Sequence, residues 1–205
     1  MDFKYSIEPL DSLLGNKTQP FKDITSWNFS TLYTSIPHSD LKSCIDWVVG
    51  KVFCNNQGKK LIITHRNAFF SKDMRNSQYG FDRLEFMELF EFLIDNIYIR
   101  FGDYVFKQVV DIPMGTICAP LLANLYLFYH EYHFLQKLKS EKDTSYHGNS
   151  FKQTFRFIDD LLSVNNKYFK NYISSIYPKD LELKETTESN EKCSFLDLFS
   201  MMMVN

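Results

Sequence analysis

An α+β fold, an antiparallel sheet with helices on one face, is what this sequence predicts, and three observations carry the prediction. Apolar residues at three-and-four spacing mark one clear amphipathic helix between Leu41 and Val52. Two pairs of short apolar runs are joined by links brief enough for hairpins, at Gly102-Asp103 and at Asp159-Asp160. A long apolar segment from Pro120 to Lys139 supplies a central helix, too apolar all round to lie on a surface. Helices interleaved with hairpin-linked strands make an α+β layer rather than a parallel, doubly wound one.

The elements follow in order. Residues 1–23, with Gly15, Asn16 and Pro20 and no sustained period, read as a leader or loop, and the folded part runs from Ile24 to Asn205. Ile24 to Tyr33 is rich in Thr, Ser and aromatic residues and suits a strand, stopped by Pro37. Ser39-Asp40 then caps a helix whose apolar positions are Leu41, Cys44, Ile45, Val48, Val49 and Val52. Leu61 to Thr64 and Ala68 to Ser71 read as short strands after a bend at Gly58, and a second helix spans about Asp82 to Asn96. Tyr98 to Phe101 and Tyr104 to Val110 flank Gly102, whose place at the head of a two-residue link suits a tight turn. Ser140 to Ser150 is polar, mixed in charge and reads as a loop. Beyond it come strands Phe155 to Ile158 and Leu161 to Val164, and a short helix from Lys167 to Ile176 ended by Pro178. A strand from Leu181 to Lys184 and a last one from Phe195 to Met202 complete the set.

Composition narrows the class. With 205 residues, 44% apolar and 17% aromatic, the chain can bury a substantial core. Its apolar runs are broken by His, Glu, Asn or Lys short of a membrane span, and Met1-Asp2-Phe3-Lys4 lacks the blocks of a signal peptide. An intracellular protein with no membrane partner is the expectation. Cys44, Cys54, Cys118 and Cys193 are far apart, form no paired metal-ligand spacing and read as buried thiols. His130-Glu131-Tyr132-His133 lacks the spacing that puts two imidazoles on one helix face, and reads as helix surface.

A net charge of −2 argues weakly against nucleic-acid binding, but the charge is segregated. Lys51, Lys59, Lys60, Arg66, Lys72 and Arg75 fall in one stretch against Asp73 alone, with Phe53, Phe69 and Phe70 interleaved. Such a segment can track a phosphate backbone, and it equally fits a solvated lobe.

Phe157-Ile158-Asp159-Asp160 sets two adjacent carboxylates at the bend between two apolar runs. Taken alone, Asp-Asp is a turn signal, since Asp hydrogen-bonds its own backbone. Crowded anions also repel and raise each other's pKa, so the pair is more comfortable beside a cation. Two-metal nucleotidyl transfer needs such carboxylates, converging from separate strands on cations about 3.5–4 Å apart, and magnesium suits oxygen ligands shared with phosphates.

Three ordered segments resemble the reverse transcriptases. Phe157-Ile158-Asp159-Asp160 is similar to that family's aromatic-x-Asp-Asp motif. The run from Asp111-Ile112-Pro113-Met114-Gly115 through Leu127 is similar to its template and nucleotide pocket with the following helix. Phe29-Ser30-Thr31-Leu32-Tyr33-Thr34-Ser35-Ile36-Pro37-His38 is similar to the stretch around its first catalytic strand, with the flavour of Penelope-like and related animal retroelements.

The resemblance implies a right-handed polymerase palm with partial fingers, residues 24–205, and RNA-templated DNA synthesis with Mg2+. Its partners would be an RNA template, a DNA primer and deoxynucleoside triphosphates, in the cell interior and the nucleus. Carried over by position, Asp159 and Asp160 would be the metal ligands. Tyr33 and the adjoining Leu32 would lie at the incoming sugar, Met114 and Gly115 would line the pocket, and Lys184 would stand near the triphosphate. Ser194-Phe195-Leu196-Asp197-Leu198 resembles the hairpin that grips the primer.

The sequence departs from that pattern in three places. Asn28 stands where the first catalytic strand should present an Asp; an amide offers a carbonyl oxygen but no charge, and a loss of several kcal/mol would slow the reaction by roughly a thousandfold or more. Asp111 stands where a Gly usually precedes Ile-Pro, and tolerates a positive φ less readily than Gly. The chain also stops at Asn205, so the expectation is a truncated fragment without a thumb. Two other readings stay beside an impaired polymerase: a non-catalytic nucleic-acid-binding module using Lys59, Lys60, Arg66, Lys72 and Arg75, and a decayed retroelement fragment.

Overall fold

The structure, a computed structural model, describes residues 23–73, 79–112, 117–141, 145–187, 192–195 and 198–201. The 1–23 leader therefore lies almost wholly outside the described residues. Two compact units emerge: one joins the chain up to Ser35 with the chain from Leu127, and the other is Ile36–Tyr126. Helices and antiparallel sheets are mixed as the sequence predicts.

The first unit is built on a four-stranded antiparallel sheet. Its strands are β1 (Ile24–Phe29), β7 (Thr154–Phe157), β8 (Asp160–Val164) and β9 (Leu183–Glu185), in the order β7-β8-β1-β9. Ile24, Trp27 and Phe29 of β1 and Leu161, Leu162 and Val164 of β8 are buried. The strand expected to reach Tyr33 stops at Phe29, because the Ser30 amide turns to the Glu182 carbonyl at 3.0 Å. Two further strands, β10 (Lys192–Phe195) and β11 (Leu198–Met201), pair with each other. The single last strand expected from Phe195 to Met202 is thus a hairpin.

The second unit holds helix α1 (His38–Cys54), helix α2 (Arg83–Asp95) and a three-stranded sheet. That sheet orders β3 (Ala68–Ser71), β2 (Lys60–Ile63) and β4 (Tyr79–Phe81), of which β4 is a short edge around Gly80 that the sequence reading missed. Leu41, Cys44, Ile45 and Val49 of α1 are buried as expected, whereas Val52 is exposed. Ser39 and Asp40 do not cap α1. Pro37 holds the N-cap position without a side-chain bond, and the His38 amide is satisfied at 3.1 Å by the Val109 carbonyl.

Strands β5 (Tyr98–Phe101) and β6 (Tyr104–Lys107) form the expected hairpin, with Gly102 at φ +61. The run to Val110 ends early at Lys107 because the chain changes partner. Val110 bridges Pro37, and the Asp111 amide donates to Ile36 O at 3.1 Å. Asp111 itself sits at φ 87, the positive value its glycine-like position demands, and its carbonyl meets His38 Nε2 at 2.8 Å.

Helix α3 (Ala119–Ser140) is not apolar-buried all round. Ala119, Leu122, Ala123, Tyr126, Leu127, Phe134, Leu135 and Leu138 form one buried stripe, while Leu121 is exposed. Glu131 lies on that stripe and is fully buried, so within its tetrad it departs from the surface reading, while His130 and Tyr132 are half-buried and His133 is exposed. Residues expected as a loop after α3 include a 3-10 helix, Ser145–Gln153. Phe151 draws it inward, packing edge-on against Phe134 at 5.3 Å and facing Phe169 of helix α4 (Phe169–Ile176) at 6.3 Å. Cys44 is buried as expected, but Cys54, at the end of α1, and Cys118, in the turn before α3, are exposed; the side chain of Cys193 lies outside the described residues. Among the described residues no helix is long and apolar enough to cross a membrane.

Candidate functional site

The β7–β8 hairpin turns through Ile158 and Asp159, with Phe157 opposite Asp160. Ile158 has φ 54 at the first central position, where a two-residue turn of this hand normally takes Gly. A β-branched residue there is strained by about 1–3 kcal/mol and persists only when its surroundings hold it. Arg156 is part of what holds it: Nη1 donates to the Ile158 carbonyl at 3.1 Å.

That guanidinium is buried with its counter-ion. Arg156 Nε donates to Glu131 Oε1 at 2.6 Å and Nη2 to Oε2 at 3.2 Å, and both side chains are fully enclosed. Tyr177 Oη donates to the same Oε1 at 2.9 Å. Sequence reasoning missed this pair. The available signal was an arginine between Phe155 and Phe157 in an apolar strand, and a glutamate in register with Leu127, Phe134 and Leu135 on an apolar helix.

Strand register brings Asn28, Asp159 and Asp160 together. Asn28 pairs with Asp160 across β1 and β8, and the Phe29 amide donates to the Asp159 carbonyl at 2.9 Å. Asn28 Nδ2 then donates to Asp160 Oδ1 at 2.9 Å and, weakly, to Asp159 Oδ2 at 3.4 Å. Asp160 is held above its ordinary pKa mainly by burial, against the pull of the Asn28 amide, with the Asp159 charge adding to the rise. On the other side of β1, Asn28 pairs with Lys184 of β9. Directly opposed residues share a face, so Asp160, Asn28 and Lys184 form a row across three strands.

The remaining predicted site residues are placed less uniformly. Tyr33 is half-buried, and its hydroxyl is pushed up first by burial and then by the charge of Asp159. Leu32, two per cent exposed, belongs to the core. Lys184 is exposed and reaches Glu182 Oε2 at 3.3 Å, while Ser30 Oγ donates to the same oxygen at 2.8 Å. Met114 and Gly115 lie outside the described residues.

The basic segment belongs to the other unit. Lys59 and Lys72 flank one end of the β2–β3 ladder and Arg66 lies in the link at its far end; all three are exposed. Lys60 is half-buried and paired with Glu85 at 3.2 Å. Of the interleaved aromatics, Phe70 packs edge-on against Phe53 at 5.1 Å and Phe69 is exposed. Arg75 lies outside the described residues.

Two carboxylates and an amide make a poor fit to a pair of cations. Among the described residues no group of three or more His, Cys, Asp or Glu is gathered as a metal site. Asn28 turns its hydrogen-bearing nitrogen, not its oxygen, to both acids, which meets their charge with N–H donors where a third anion would meet it with metal. One cation between Asp159 and Asp160 is compatible with the oxygens present once the amide rotates; the two-cation donor set is not.

A four-stranded antiparallel sheet that carries an acidic hairpin beside its first strand is also found in solved structures. Two solved structures similar to this chain are telomerases. The telomerase of Candida albicans, in complex with a TWJ fragment of telomeric RNA, matches with a TM-score of 0.60 and 14% identity over 97% of this chain and 34% of that one. The apo telomerase of Candida tropicalis, truncated from its C-terminal domain, matches at 0.56 and 14% over 95% of this chain and 36% of that one. The chain thus spans about a third of the length of each, and at this identity the likeness is one of fold. No protein family matches the chain, and no curated protein does.

Proposed function

We propose that this chain is a reverse-transcriptase domain of retroelement ancestry, Penelope-like in its motifs, whose two-metal nucleotidyl transfer is impaired at Asn28. The single observation behind the reading is the row Asp160-Asn28-Lys184: two polymerase-like positions are charged and the one between them is an amide bonded to the acids. On this reading the half-buried Tyr33, whose hydroxyl feels the Asp159 charge, would lie under an incoming sugar. RNA template, DNA primer and deoxynucleoside triphosphates are the partners this reading implies, in the nucleus, and Mg2+ is the cation it implies. The metal when bound would polarise the reacting phosphate. What the chain's own residues do is narrower: Asp159 and Asp160 present oxygens, Asn28 satisfies them with hydrogens, and Lys184 offers a positive charge on the same face.

Primer extension on an RNA template with Mg2+ tests the reading in the parent chain and in Asn28→Asp. Extension by the parent at a rate equal to the variant's would remove the impairment; extension gained by at least about a hundredfold in Asn28→Asp is the expected outcome. A second reading, a nucleic-acid-binding module without catalysis, is favoured by the exposure of Lys59, Arg66 and Lys72.

A further inference from the structure

We propose that Glu131 and Arg156 are positioning residues of the acidic hairpin: the Glu131 carboxylate orients the Arg156 guanidinium so that its remaining edge fixes the Ile158 carbonyl, and with it the direction in which Asp159 leaves the turn. The purpose assigned to this device rests on the polymerase reading; its geometry does not. Three separate parts of the first unit meet here, since Glu131 comes from α3, Arg156 from β7 and Tyr177 from the residue that ends α4.

The planar guanidinium explains why an arginine is needed. Five donors in one rigid plane let Nε and Nη2 engage both carboxylate oxygens while Nη1 points to the Ile158 carbonyl at 3.1 Å. A lysine ammonium meets the carboxylate but does not span both groups. Burial alone gives no reason for the pair, because apolar residues of similar volume stabilise a core as well or better. What they lack is a donor for a carbonyl whose residue is held at positive φ. The β5–β6 hairpin gives an internal comparison: at the corresponding turn position Gly102 takes φ +61 without steric cost, whereas Ile158 takes φ 54 against it.

Phe29 provides the readout, because its amide is bonded to the Asp159 carbonyl at 2.9 Å and its hydrogen exchange reports where the turn sits. The variants are Arg156→Lys, which retains the charge, and the double variant Glu131→Leu/Arg156→Met, which replaces the pair by apolar volume. In both, Phe29 should lose protection by at least about tenfold relative to amides at the Ile24 end of the β1–β8 ladder. An unchanged Phe29 amide in either folded variant overturns the proposal. Primer extension by Asn28→Asp separates the two readings. Loosening of Phe29 with no extension by any variant removes the polymerase reading and leaves the bracing in place. Extension that Arg156→Lys does not slow, with Phe29 still protected, removes the bracing alone.

Discussion

Asn28 changes the electrostatics of its site more than its size. An Asp there would set a third anion against Asp159 and Asp160 and would lose both amide hydrogen bonds. Asn28→Asp should therefore cost about 1–3 kcal/mol of stability in the presence of a chelator, and Mg2+ or Mn2+ should recover it. Thermal unfolding with and without the cation measures this; a parent chain that gains as much as the variant would contradict it. Cys44 behaves differently. Burial, then the nearby Asp40 charge, pushes its thiol up to about 12 from the ordinary 9.0. The folded chain keeps a proton that the unfolded chain releases, so this contribution is complete below pH 9 and is lost as pH rises toward 12. Thiol titration at pH 8 should label Cys54 and Cys118 ahead of Cys44, and the denaturant midpoint of unfolding should fall progressively above pH 9.

Elements with a strong local signal were legible from sequence. The α1 stripe and the Gly102 turn follow from period and turn chemistry; the hairpin around Asp159 and Asp160 was legible too, but one residue out, because Ile158 and Asp159 make the turn and Asp160 opens β8, and the pairing of Asn28 with Asp160 came only from the fold. Elements set by tertiary contact were not. The 3-10 helix around Phe151 owes its form to Phe134, Phe169 and Tyr172, which no local pattern announces. The start of α1 depends on Val109, far along the chain. Glu131 and Arg156 look like surface residues until α3 and β7 are packed together. Helix α2 did carry an unread signal: Asp82 accepts from the Glu85 amide while the Glu85 side chain accepts from the Asp82 amide, a complete capping box. Asp82→Ala should cost about 1 kcal/mol, read as a lowered midpoint in urea with an unchanged slope.

For the whole molecule, the charge distribution bears on binding more than the net value of −2 does. Lys59 and Arg66 stand at opposite ends of the β2–β3 ladder and Lys60 is engaged by Glu85, so the basic segment is a set of separated contacts rather than one patch. If the chain holds RNA through it, Lys59→Ala and Arg66→Ala should each reduce the salt slope of binding by about one, whereas Lys60→Ala should do so less. Fluorescence anisotropy over a range of salt concentrations reads the slopes directly.

The pairing of β1 also has a bearing on how the chain is made. Asn28 and Asp159 are separated by 131 positions, and β1 has no described partner strand other than β8 and β9. At roughly 5–20 residues per second a ribosome takes on the order of ten seconds to supply that partner. Through that interval Ile24, Trp27 and Phe29 wait with their ladder unmade, while α1 and the β2–β3 hairpin already have neighbours close in sequence. The strand that carries Asn28 is therefore made well before it is secured, and over that interval its apolar face is open to the partners a chaperone would exclude.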